Sequence, residues 1–439
     1  MPRCFLLTFI VGFFMTVTIA TVSAEPKIQE LKTAGGLTAW LVESKSIPMI
    51  SMEIAFRAGS AFEPTDKAGL ASLTANLLDE GTENLSDREF KASLERIGAR
   101  FGAGADKLDL TLTLDTLTEH KEAAFALLAD ALKNPAFTPA ATERLQDMFK
   151  AALKRQEEDP GSVARKAFGK ALYGDHPYAT PLLGTAESVA ALTPDDARAY
   201  YAAQVNKANM VIAVVGDISA KALGKLLDEH FAELPAGDAR NMMTAVPVVP
   251  TAQKIHITRP IPQATVMLGH LGISREHPDY FNVFVMNHIL GGGGFSSRLM
   301  SEIREKRGLT YGVSSGFSPL PQRGSFVAQL ATKNADALPA AKLVEVEIDK
   351  MQAAEVSEAE YNDAIDYLTG SFPLRLDSND KILGYLTTMQ MENLGADYLE
   401  VWTDKIKAVT RADILAAAKT HLQPKNFIEV IVGGEEAFK

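Results

Sequence analysis

Apolar and polar residues alternate strictly along Leu108–Leu114, with leucine at 108, 110, 112 and 114 and Asp or Thr between. A period of two puts every leucine on one face, which predicts a strand buried on one side. Met49–Phe56 and Met210–Val215 are apolar runs with β-branched members, and Phe326–Ala331 is a comparable run; each predicts a further strand. Elsewhere the pattern turns helical. Ser86-x-x-Glu89 and Ser357-x-x-Glu360 each read as a capping box. In such a box the serine hydroxyl and the glutamate carboxylate accept from each other's backbone N–H at a helix start. Gly98 suits the left-handed residue just past the first of these helices. Strands clustered with helices at short, hairpin-like spacings predict an α+β fold whose sheets carry helices mainly on one face.

The chain also repeats itself. Leu192–Asp217 aligns without a gap on Val409–Gly434, an offset of 217 residues that pairs Thr193 with Thr410, Asp196 with Asp413, Asn209 with Asn426 and Gly216 with Gly433. In both copies a helix pattern ends near an Asn, and a β-branched run closed by Gly follows. Glu95–Gly102 matches Glu305–Gly312 more weakly, at an offset of 210. Two matches in the same order at nearly one offset predict a duplicated domain. The stretch 235–254 lacks helical periodicity and holds Pro235, Gly237, Pro247 and Pro250, as a linker should. The expected organisation is therefore a first domain over 25–235, a linker over 236–254 and a second domain over 255–439.

Composition narrows the class. The 439 residues are 46% hydrophobic and 23% charged, which excludes disorder, collagen-like sequence and a disulfide scaffold. A formal net charge of -11 argues against a nucleic-acid partner, because neutralising phosphate needs a basic surface. Residues 1–24 carry one charge, Arg3, then a long apolar run, then Val22-Ser23-Ala24; this reads as a secretory signal peptide cleaved before Glu25, with an uncleaved anchor as the alternative. Cys4 is the only cysteine and lies inside that leader, so the mature chain would have neither disulfide nor thiol catalysis. Nothing after residue 24 is apolar enough to span a bilayer.

No ready-made catalytic motif follows. HExxH, HxxEH, GxSxG and a Walker loop are all absent, and no two of the eight histidines fall at i, i+3 or i+4 spacing. His176, in Gly174-Asp175-His176-Pro177-Tyr178, reads as a structural loop residue. The run Gly291–Gly294 reads as a permissive helix-to-helix turn, since a phosphate cradle would need a lysine and a strand-turn-helix context.

The segment from Leu290 to Val313 (LGGGGFSSRLMSEIREKRGLTYGV) resembles the C-terminal-domain signature of the pitrilysin/insulinase metallopeptidases, the family that includes mitochondrial processing peptidase and the insulin-degrading enzymes. The likeness continues in Arg57-Ala58-Gly59-Ser60, Glu63, Gly69-Leu70-Ala71, Asp79-Glu80-Gly81-Thr82, Leu172–Tyr178 and Leu183-Gly184-Thr185, and so covers essentially the whole mature chain. It implies two homologous domains forming half of a clam-shell.

The same alignment removes the family's chemistry. Its inverted zinc motif, His-x-x-Glu-His, falls on Ser72-Leu73-Thr74-Ala75-Asn76: Ser72 and Asn76 stand for the histidines and Ala75 for the catalytic glutamate. The third ligand, a glutamate on another helix, falls on Ala152. Zinc needs nitrogen or anionic ligands that converge, and activating its water needs a base; these residues offer neither. The second half is better equipped. The family's arginine and tyrosine, seven positions apart and reaching the active site of the partner half, match Arg304 and Tyr311. Arg304 would end a helix, Gly308 would turn the chain and Tyr311 would enter a strand. A guanidinium and a phenol there could donate to a peptide carbonyl and a developing oxyanion. The first half carries Leu94 and Phe101 at the equivalent positions.

The resemblance thus implies a non-catalytic subunit of a two-chain metallopeptidase; the leader makes it periplasmic or secreted, and the cysteine-free mature chain fits a bacterial periplasm. A homologous zinc-bearing subunit would complete a heterodimer, bring the zinc this chain lacks and act on peptide substrates bound partly by strand addition. The alternative is a structural or peptide-binding scaffold with no role in hydrolysis. A third reading, a self-sufficient peptidase with a relocated metal site, would need convergence on a residue such as His176 or His288.

Overall fold

The computed structural model describes residues 26–237, 240–246 and 252–439. The expected leader and part of the expected linker lie outside the described residues.

Two sheets organise the chain. The first contains β1 (Ile28–Lys32), β2 (Thr38–Glu43), β3 (Met49–Phe56), β4 (Arg100–Ala105), β5 (Leu110–Leu117) and β6 (Met210–Gly216), in the order β1-β2-β6-β3-β5-β4. The second contains β7 (Gln253–Thr258), β8 (Gln263–Leu271), β9 (Thr310–Ser318), β10 (Ser325–Lys333) and β11 (Ile428–Gly433), in the order β7-β11-β8-β10-β9. In each sheet one pair is parallel, β2 with β6 and β7 with β11, and every other pair is antiparallel. The two orders superimpose strand for strand apart from β1. The sequence repeat is therefore a repeat of topology.

Helices of the first half are α1 (Leu70–Leu77), α2 (Asp87–Arg96), α3 (Lys121–Lys133), α4 (Pro139–Glu158), α5 (Pro160–Tyr173), α6 (Ala186–Ala191), α7 (Pro194–Gln204) and α8 (Ala220–Phe231). Those of the second are α9 (Tyr280–Asn287), α10 (Ala337–Ala353), α11 (Glu358–Ser371), α12 (Asn379–Met391), α13 (Tyr398–Lys407) and α14 (Arg411–His421). Both expected capping boxes form, at Ser86/Glu89 and Ser357/Glu360, and two more open the repeated helices, at Thr193/Asp196 and Thr410/Asp413. The alternating leucines behave as their spacing requires. Leu110, Leu112 and Leu114 are buried in β5, whereas Leu108 precedes the strand and packs in a separate cluster with Tyr173 of α5.

Most helices of each half cover one face of that half's own sheet. The opposite face is closed from the other half. Ala164, Phe168 and Leu172 of α5 pack onto Met267 and Leu271 of β8 and Ile428, Val430 and Val432 of β11. Reciprocally, Leu383, Leu386 and Met389 of α12 join the cluster of Trp40, Val42, Ala213 and Val215 from the first sheet. α5 and α12 occupy corresponding places in the repeat, so the two halves exchange equivalent helices. Burial of a side chain such as Phe168 contributes about 1.5–3 kcal/mol.

One buried cation ties this exchange together. Arg57, just after β3, is 4% exposed. Its Nη2 donates to the Met391 carbonyl at 2.7 Å and lies 3.4 Å from Glu392, both at the end of α12, while Nη1 lies 3.3 Å from Asp109.

Candidate functional site

The positions that resemble a zinc centre lie on α1 and on α4, which packs against it. Ser72 and Ala75 are buried and Asn76 and Ala152 half-buried. Helical spacing puts 72, 75 and 76 on one face, but the side-chain donors there are already used. The Ser72 hydroxyl donates to the Leu182 carbonyl at 2.8 Å, and Asn76 Nδ2 donates to the Ser72 carbonyl one turn back, also at 2.8 Å. The loop that carries Leu182 closes over the start of α1. Ser188 Oγ donates to the Ala68 carbonyl at 2.7 Å beside it. Alanine at 75 and 152 offers no donor atom. The residues at these four positions do not fit a zinc ion.

Glu63, also part of the resemblance, is a helix cap. Its two carboxylate oxygens accept from the N–H groups of Gly69 and Ala71, each at 2.9 Å, at the positive end of α1. Burial nevertheless pushes this carboxyl up to about 7, and burial likewise pushes Asp109 up to about 7 against the opposing pull of Arg57. Both groups hold a proton in the folded chain at a pH where the unfolded chain, near 4.5 and 3.8, has released it. Their contribution to stability is thus full below about pH 4 and is lost as pH rises towards 7, amounting to on the order of 3–4 kcal/mol for each group. Urea midpoints should fall between pH 5 and pH 8, and Asp109→Asn should flatten that slope; a midpoint rising with pH would contradict the assignment.

The second half presents the expected pair. A π-helical turn, Met300–Glu305, carries Arg304 in its last turn. Gly308 at φ +64° reverses the chain and donates its N–H to the Arg304 carbonyl at 2.9 Å. Tyr311 follows on β9, the edge strand of its sheet, and is 89% exposed. The Arg304 guanidinium rests over the exposed Phe295 ring, 4.6 Å from its centroid. Among the described residues neither Arg304 nor Tyr311 spends its polar side-chain atoms on an intramolecular hydrogen bond or ion pair. Their first-half counterparts are core residues: Leu94 is buried and Phe101 meets the Phe90 ring edge-on at 5.5 Å.

The glycine run differs from the expected turn. The helix begun by α9 continues through it as a π-helical turn, His288–Gly292, and the chain breaks only at Gly294. Gly291 is glycine because of packing: a Cβ there would lie 2.5 Å from Ser315 Oγ and 2.7 Å from Ser315 N on β9. Nearby, Arg298 forms a two-point pair with Glu360 at 2.7 and 3.0 Å, joining the signature to the capping box of α11.

Phe295 and Arg57 were not singled out by sequence reasoning. The only available signals were their places in the Gly-Phe-Ser-Ser-Arg and Arg-Ala-Gly-Ser segments. His176 is structural as expected: it is buried, Nδ1 accepts from the Tyr178 N–H at 3.2 Å, and Nε2 lies 3.2 Å from the Thr244 carbonyl. His288 stacks on Tyr367 with centroids 5.2 Å apart. Among the described residues one trio, His277, Asp279 and His421, brings ligand atoms within 4.8 Å of one another. It joins the start of α9 to the end of α14, with His421 Nε2 2.7 Å from Asp279 Oδ2.

Residues 40–186 match the family described as Insulinase (Peptidase family M16), and residues 191–368 match the Peptidase M16 inactive domain. A Helicobacter pylori protein named "Non-peptidase homolog YmxG" is 28% identical over 99% of both chains. The crystal structure of a peptidase M16 inactive domain from Pseudomonas fluorescens is 35% identical, covers 93% of this chain and 98% of its own, and superimposes with a TM-score of 0.88. The periplasmic protease PqqL from Escherichia coli shares the fold, with a TM-score of 0.78 at 18% identity, over 98% of this chain and 49% of its own.

Proposed function

The chain belongs to the insulinase family of peptidases, peptidase family M16, and we propose that it works there as the non-catalytic subunit of an exported two-chain zinc peptidase. The observation that carries this reading is an asymmetry. The positions that would bind zinc are inert or already hydrogen-bonded, whereas Arg304 and Tyr311 stand uncommitted beside an edge strand. A structure that keeps donors and lacks a metal cage suits a partner that brings the zinc and the base. Arg304 would hold the peptide carbonyl, Tyr311 would donate to the developing oxyanion, and β9 would offer unpaired backbone groups to an extended peptide. The relative named a non-peptidase homolog supports the loss of hydrolysis. The leader, together with the periplasmic protease that shares the fold, supports the periplasm. Among the described residues no helix is long and apolar enough to cross a membrane.

The test is reconstitution. Purified alone, the chain should cleave no peptide and hold no stoichiometric zinc, with His421→Ala included to remove any zinc taken up by the His277/Asp279/His421 trio. Mixed with a zinc-bearing homologue from the same organism, it should restore turnover. Failure to form that complex at micromolar concentrations would favour a scaffold instead.

A further inference from the structure

A cavity of about 520 Å³ opens between α9, α12 and α13, and a second of about 360 Å³ adjoins it towards β9. Arg275, Tyr280, Phe284 and Arg375 line both, so the two adjoin across shared walls, and each has a volume in the range of small-molecule sites. Its walls are aromatic, with Trp402 and Tyr385 completing the larger part, and no carboxylate lines either part. Arg275 is largely buried and is held by tyrosines: Nη1 donates to Tyr280 Oη at 3.1 Å, and Tyr398 is a further partner. Arg375 lies over the Trp402 ring, 5.9 Å from its centroid. Lys381 differs, since Asp377 at 2.7 Å neutralises it. Among the described residues neither arginine forms an ion pair; Glu392 acts on Arg275 only at longer range and is engaged by Arg57.

Two guanidinium groups facing one partly dry, aromatic space lack the anion that such groups ordinarily demand. We propose that this cavity binds an organic acid: a carboxylate held by Arg275 and Arg375, attached to an aromatic or aliphatic body that packs against Trp402, Tyr385 and Phe284. A free acid and the C-terminus of a peptide share this chemistry. The inference does not depend on the partner subunit, because every wall belongs to this chain.

The experiment uses the full mature chain carrying Trp40→Phe, which leaves Trp402 as the only tryptophan and so as a reporter inside the cavity. The probes are N-acetyl-phenylalanine and the peptide Ala-Ala-Ala-Phe, each as free acid and as C-terminal amide, followed by fluorescence and calorimetry. The free acids should bind at least tenfold more tightly than their amides, and Arg375→Gln should abolish that preference. Binding of both acids points to a small metabolite, and binding of the peptide alone points to peptide termini; either supports the site. Gly384→Leu provides a second variant, because Gly384 lines the cavity and a Cβ there meets nothing within 4 Å. The leucine should fill the space and block binding while thermal stability is kept. Equal affinity for acid and amide, no binding by any probe, or binding unaffected by both variants would overturn the proposal.

Discussion

Replacing Arg304 with alanine should lower the turnover of the reconstituted two-chain peptidase by about a hundredfold to a thousandfold, the range seen when one preorganised oxyanion donor is removed. Zinc content and assembly should not change, because Arg304 rests over Phe295 and, among the described residues, its side chain makes no hydrogen bond or ion pair within its own chain. The loss should fall on kcat more than on KM, since the carbonyl that Arg304 holds gains its charge in the transition state and the pair strengthens there. Tyr311→Phe removes a single hydroxyl and should move the same parameter in the same direction. At 89% exposure Tyr311 contributes little to folding, so the two effects separate cleanly from stability. Phe295→Ala offers an internal control. It frees the guanidinium without deleting it and should cost less than Arg304→Ala. Turnover unchanged by Arg304→Ala would remove the reason for assigning this chain any part in hydrolysis.

How much of this was legible beforehand depends on how local the signal is. The alternating leucines of β5 and the capping boxes at Ser86 and Ser357 each act within a turn or a strand, and each formed where the sequence put it; the Thr193/Asp196 and Thr410/Asp413 boxes, read beforehand only as repeat matches, are as local. Arg304, Gly308 and Tyr311 were likewise ordered along the chain as helix end, turn and strand. The exchange of α5 and α12 was not legible. An apolar stripe says that a helix must bury a face, but Phe168 and Leu386 carry no mark of which sheet will cover them. The glycine run misled for a related reason. Its residues read as backbone freedom, whereas Gly291 answers to Ser315, 24 positions away on β9. The cavity arginines were invisible because Arg275 and Arg375 lie 100 residues apart and meet only through tertiary packing.

Arg57→Met should destabilise the folded chain by about 3–5 kcal/mol, the loss expected when one partner of a buried charged network is removed and the others stay. The variant leaves the Met391 carbonyl without its Arg57 donor and leaves the half-buried Asp109 and Glu392 without the guanidinium that pairs with them, while Arg240 still acts on both without pairing with either. Methionine fills much of the volume, so the penalty is electrostatic rather than a cavity. Its pH dependence provides the signature. Asp109 already sits near 7 with Arg57 beside it; without Arg57 its carboxyl rises further and can escape the penalty by taking a proton. Unfolding in urea should therefore show a larger loss at pH 8 than at pH 5, and Asp109→Asn on the same background should remove that difference. Because Arg57 joins β3 to the end of α12, the first sheet should lose hydrogen-exchange protection together with α12, while α5 on the second sheet keeps more of its own. Equal losses at both pH values would mean that Arg57 acts as packing and that the two exchanged helices are held by their apolar faces alone.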